Sequence, residues 1–188
     1  ATGKPDPEKQ KAFAAAHPET KGQADFLKAN NPPASYASTP YYSLHAFRFE
    51  NRAKQVRYVR WQFVPQDGTR FLDDAALTGT PPDFLEAALK SRIAQGPIRW
   101  DMVVTFAEAG DTLTDPTVPW PEGRKQQRIG TLELKSVSAQ AGGDCEKINF
   151  DPMVMSDGVA ASDDPVLRFR SAAYAVSFGR RLSDAPAK

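Results

Sequence analysis

The sequence predicts an α+β fold, an antiparallel sheet with helices inserted and appended, and three observations carry that prediction. Two runs, YYSLHAFRFEN (41–51) and QVRYVRWQFVP (55–65), alternate aromatic or β-branched residues with polar ones, and RAKQ (52–55) between them suits a hairpin. Two later runs, IRWDMVVTFAEAG (98–110) and QRIGTLELKSVSA (127–139), alternate in the same way, which gives about four strands. Between and after the strands the period changes to that of a helix, in PPDFLEAALKSRIAQGP (81–97) and again from Pro165 to Arg181. A sheet of this kind has two edges and needs closure or cover.

The elements follow in order. PDPEKQKAFAAAHPETKGQADFLKANNPP (5–33) reads as two short helices, with proline and acid at the starts and Asn-Asn-Pro-Pro as the stop. The chain thus divides into an N-terminal helical segment, 1–33, and a sheet-and-helix domain, 34–188. In the first strand His45, Phe47 and Phe49 share a face. In the second, Val56, Tyr58, Arg60 and Gln62 oppose Arg57, Val59, Trp61 and Phe63. The alternation of arginine with aromatic residues there reads as a solvated face against a buried one. The helix of 81–97 has apolar residues at 84, 85, 88, 89 and 93, and ends at Gly96-Pro97. GDTLTDPTVPWPEGRKQ (110–126) is a long proline-rich loop, of a length that is functional or pinned against another element. Asp163 and Asp164 suit the start of the last helix.

Composition excludes several classes. Lys and Arg number 24 against 23 Asp and Glu, so no global field recruits nucleic acid or an anionic membrane. No apolar run approaches the roughly 20 residues that span a bilayer, and ATGKPDPEKQ does not read as a signal sequence, so the chain is expected to be soluble. The single cysteine, Cys145, makes no internal bridge and reads as structural. The acids lack metal-ligand spacing, and two histidines with one cysteine far apart do not suggest a zinc site.

The segment DDPVLRFRSAAYAVSFGRR (163–181) is the one that suggests chemistry. Arg170 and Tyr174 are four apart on a helix and can touch. A guanidinium beside a phenol favours phenolate, and tyrosine is an axial ligand of haem iron. Ala172, Ala173 and Ala175 leave room for a planar macrocycle, and Arg181 is placed to hold a haem propionate. Spacing alone favours a plainer account, in which Tyr174 is a core tyrosine and the arginines offset the helix dipole.

SDDPVLRFRSAAYAVSFGRR resembles the proximal helix of haem catalases, most closely the small catalase-related peroxidases. PPASYASTPYYSLHAFRFEN, RYVRWQFVPQDG, DPTVPWPEGRK, GTLEL and INFDP agree in order, so that the resemblance runs from about Phe26 to Arg181. It implies an antiparallel β-barrel of catalase type, about four of its eight strands in this chain, with flanking helices and a C-terminal haem-ligating helix. It implies haem b, with Tyr174 as iron ligand and Arg170 paired to the phenolate. His45 and Asp164 would complete a polar relay with Arg170 behind the ligand. Arg181 matches a propionate-binding position, and Phe178 stands at a cofactor-contacting position where a histidine is usual.

The resemblance also implies hydrogen peroxide as substrate and a small reductant. The distal histidine and asparagine of the family precede the matched region, and His17, in AAAHPET, does not match them. The expectation is therefore a proximal half, completed by an N-terminal half of the same protein or by a second polypeptide. The alternative is a noncatalytic haem-binding or structural module. Oligomeric state is left open, including a homo-oligomer, as is the compartment, bacterial periplasm or cytoplasm.

Overall fold

The computed structural model describes residues 5–139 and 142–183. Helix α1 (Pro7–Ala16) starts where sequence places a cap: Asp6 accepts from the amides of Glu8 (3.1 Å) and Lys9 (3.3 Å), and Pro7 fills the first turn. Helix α2 (Lys21–Ala29) follows a short 3₁₀ turn, and neither helix has a buried residue. Their large apolar side chains, Phe13, Phe26 and Leu27, are all more than half exposed.

The sheet is antiparallel throughout and holds six strands. These are β1 (Tyr41–Tyr42), β2 (Phe47–Glu50), β3 (Val56–Pro65), β4 (Ile98–Phe106), β5 (Gln126–Leu134) and β6 (Val159–Ala161). The order is β5-β4-β3-β2-β6, with β1 also on β3. Two expectations are corrected here. The sheet is open rather than closed into a barrel, since the outer sides of β5 and β6 pair with no strand among the described residues. The strand count differs from four because the 41–51 run breaks into β1 and β2, and because β6 has three residues, too few to show alternation.

The hairpin between β2 and β3 forms at RAKQ. Glu50 pairs with Val56, Gln55 N–H donates to the Asn51 side chain (3.0 Å), and Lys54 takes a left-handed φ of 61°. Helices α3 (Asp74–Gly79) and α4 (Phe84–Ile93) join β3 to β4. Leu89 and Ile93 of α4 pack on a core of Ala37, Ile98 and Trp100. Across β2 and β3, Phe47 lies 4.4 Å and Phe49 6.0 Å from Trp61 between ring centroids. Helix α5 (Pro165–Ser183) is joined to the core at its first turn, where Leu167 is fully buried.

The long loop is pinned. Arg124 donates to both oxygens of Asp111 (2.9 and 2.8 Å), and Trp120 Nε1–H donates to the Thr112 carbonyl (2.7 Å). Arg60, on β3, reaches across to the carbonyls of Val118 (2.9 Å) and Asp115 (3.1 Å), with its guanidinium 4.7 Å from the Trp120 ring centroid. Arg60 is therefore half-buried against the loop, whereas Arg57 is exposed. A solvated face was the wrong reading for Arg60, because the residues that cover it lie 55 and 58 positions away.

Candidate functional site

The site is built where the 41–50 segment departs from regular pairing. Tyr42 lies opposite Gln62, the Ser43 amide bonds the Trp61 carbonyl (2.8 Å), and Phe47 lies opposite Val59. Leu44, His45 and Ala46 together therefore face Arg60 alone, a bulge held by Ser43 Oγ donating to the His45 carbonyl (2.7 Å). The bulge puts His45 inside, 7% exposed, where its Nδ1 meets Asp164 Oδ2 at 2.6 Å. With an ionised carboxylate as acceptor, Nδ1 carries the proton.

Asp164 is fully buried, and its second oxygen accepts the amides of Val166 (2.8 Å) and Leu167 (3.2 Å). These are the orphan donors of the first turn of α5, and a carboxylate there also opposes the positive end of the helix dipole. Asp163 points outward and pairs with Arg168 (2.7 Å).

Farther along α5, Arg170 Nη2 donates to the Tyr174 hydroxyl, and the guanidinium carbon lies 5.0 Å from the ring centroid. Arg170, Ser171, Tyr174 and Phe178 are half-buried, while every other described residue of α5 from Arg168 onward is exposed. Positions 170, 174 and 178 are four apart, so they form one stripe. Ala172, Ala173 and Ala175 stand on the exposed part of the helix. Arg181 lies 5.4 Å from the Phe178 ring centroid and donates to the Ile148 carbonyl (3.1 Å).

The structure thus brings the sequence-predicted residues together as two pairs, His45 with Asp164 and Arg170 with Tyr174. Among the described residues no hydrogen bond joins the pairs into a continuous relay. His17 is half-exposed and bonds Glu19 (2.9 Å). Cys145 is exposed, so packing gives it no structural role. No group of three His, Cys, Asp or Glu suited to a metal ion occurs among the described residues.

Sequence reasoning missed Ser171 and Asp151. Ser171 Oγ donates to Asp151 Oδ2 (2.5 Å), and that hydrogen bond, followed by one from the Met153 amide, holds the Asp151 carboxyl below its ordinary range. The Asp-Pro of INFDP was the available signal, since Asp before Pro marks a turn with a side chain committed to it.

Comparison with known proteins places the chain in a family. The family described as catalase matches residues 1–185. A catalase-related peroxidase from Synechococcus elongatus is 53% identical over 180 residues, covering 96% of this chain and 53% of that protein. Another catalase-related peroxidase, from Mycolicibacterium paratuberculosis, is 38% identical over 164 residues, covering 86% and 51%. The chain therefore spans about half the length of these curated relatives. The structure of a bacterial catalase superimposes with a TM-score of 0.84 at 23% identity, over 98% of this chain and 39% of that one, a likeness of fold.

Proposed function

The chain belongs to the catalase family, and from that membership we propose that it is the haem-holding portion of a peroxide-consuming enzyme, with Tyr174 as iron ligand. The observation that carries the proposal is the hydrogen bond from Arg170 to the Tyr174 oxygen on the half-buried stripe of α5. A cationic donor at that oxygen stabilises negative charge on it, as a hard anionic iron ligand requires.

The donor set fits a haem. Tyr174 offers the ligand atom, Phe178 a flat contact on the same stripe, and Arg181 a guanidinium for a propionate, although one of its donors is shared with Ile148. Bound there, haem b would supply cleavage of the oxygen–oxygen bond of hydrogen peroxide, with a second peroxide or a small organic donor as reductant. Arg170 aims a cationic N–H donor at the phenol oxygen. Asp164 fixes the His45 ring through Nδ1–H and caps α5 with its other oxygen, so one carboxylate orients both the imidazole and the ligand-bearing helix. In this reading residues 34–188 form the haem-holding domain. The opposite wall, with the groups that receive the peroxide proton, comes from a completing segment of the same protein or a second polypeptide. The open outer sides of β5 and β6 and the half-length match to the relatives support that assignment.

A haem-holding or structural module without turnover is the second reading. It is favoured by the commitments of both histidines, His45 to Asp164 and His17 to Glu19. Oxygen evolution or donor oxidation from peroxide, measured with and without a completing half, separates the two.

The first test is an absorption titration of the chain with haemin, wild type against Tyr174→Phe. The expected result is a Soret band with high-spin ferric phenolate features that the substitution removes. Identical spectra for the two proteins would overturn Tyr174 as ligand.

A further inference from the structure

Beyond Leu167, helix α5 has little apolar packing to fix its rotation about its own axis. Its residues from Arg168 onward are exposed except for Arg170, Ser171, Tyr174 and Phe178, which are half-buried. Leu167 and the Asp164 cap fix the start of the helix, and farther along hydrogen bonds are left to hold the way Tyr174 faces. Two of them come from one segment. Ser171 donates to Asp151 (2.5 Å), and Arg181 donates to the Ile148 carbonyl (3.1 Å). Ser171 and Arg181 are separated by about 15 Å of helical rise. The chain from Ile148 to Asp151 reaches at most about 10 Å. A helical side chain leans toward the N-terminus, so the length of Arg181 closes the difference.

Asp151 is itself held in place before it meets the helix. Its Oδ1 accepts the Met153 amide (2.8 Å), and its carbonyl accepts the Val154 amide (3.2 Å), a turn built around Pro152. The second oxygen is left to face Ser171. Because the carboxyl lies below its ordinary range, the bond is charge-assisted at neutral pH.

We infer that the strap 148–153 is a positioning clamp for α5 and that the Ser171–Asp151 hydrogen bond is its lock, setting the helix rotation that aims Tyr174. Ser171 is three residues before Tyr174 and lies beside it on the helix surface. A turn of the helix released at Ser171 moves the phenol oxygen with it. The consequence for haem rests on the function proposed above, but the clamp itself does not.

The test uses the whole chain as wild type, Ser171→Ala, Ser171→Thr and Tyr174→Phe. In Ser171→Ala, amide hydrogen exchange between Ser171 and Arg181 accelerates about tenfold or more, the loss of one charge-assisted bond. Amides of β3 and β4 keep their wild-type rates, which shows that the fold persists. Haemin affinity falls by about the same factor and the phenolate-to-iron absorption shifts. Ser171→Thr, which keeps the hydroxyl, restores all three. Unchanged exchange in α5 of Ser171→Ala overturns the clamp. Faster exchange in Ser171→Ala, with haemin spectra of that variant and of Tyr174→Phe both like wild type, upholds the clamp and removes the ligand assignment.

Discussion

Asp164 shows how one buried side chain can serve both stability and site geometry. One oxygen receives His45 and the other the first free amides of α5, with no part of the residue exposed. Asp164→Ala removes the cap, about 1 kcal/mol, and leaves a buried imidazole donor without its acceptor, about 1–3 kcal/mol more. The expected outcome is a loss of about 2–4 kcal/mol in urea unfolding, with Asp163→Ala within about 0.5 kcal/mol of wild type. Equal losses from the two substitutions would mean that burial of Asp164 is incidental. The choice of Asp164 over Asp163 was legible only through the resemblance, because both suit a helix start and the deciding partner, His45, is 119 residues away. The contact of Arg170 with Tyr174 was legible from spacing, being local to one helix.

At the level of elements, legibility followed locality again. The β2–β3 hairpin and helix α4 declare themselves by period and by turn residues, whereas the bulge at Leu44–Ala46 is a property of pairing between two strands and leaves no period to read. The long loop was recognised by its prolines, but its anchors were not. Asp111 is one of them, with its carboxylate 2% exposed and lowered from an ordinary 3.8 to about 2, first by the Arg124 hydrogen bond and next by the Glu108 amide. A carboxyl depressed in the folded state stabilises that state above its unfolded value and ceases to do so as pH falls through its folded value. The loop is thus predicted to stay fastened at neutral pH and to release between about pH 4 and pH 2, read as peptic cleavage or amide exchange within residues 110–126. Arg124→Gln moves the release toward pH 4. A release midpoint that Arg124→Gln leaves unmoved would assign the acid response to another group.

The whole molecule has a small core for its length. Among the described residues nine apolar side chains are buried, two of them alanines and one Pro65, while Phe169 on α5 is 70% exposed. Stability from burial scales with the apolar area removed from water, and anything that binds only the folded form adds to it. If haemin binds at Tyr174, free haemin at a hundred times its dissociation constant adds about 2.7 kcal/mol. For a chain of this size each kcal/mol raises the unfolding midpoint by about 2–4 °C, so a rise of about 5–10 °C is expected. The control is as informative as the rise. Haemin is apolar enough to adsorb on exposed residues such as Phe169, and adsorption would raise or lower the midpoint of wild type and Tyr174→Phe alike. A site at Tyr174 predicts a rise in wild type that saturates with haemin and is largely lost in Tyr174→Phe, whereas parallel, unsaturating shifts in both would place haemin on the apolar surface and leave the chain as a catalase-like scaffold.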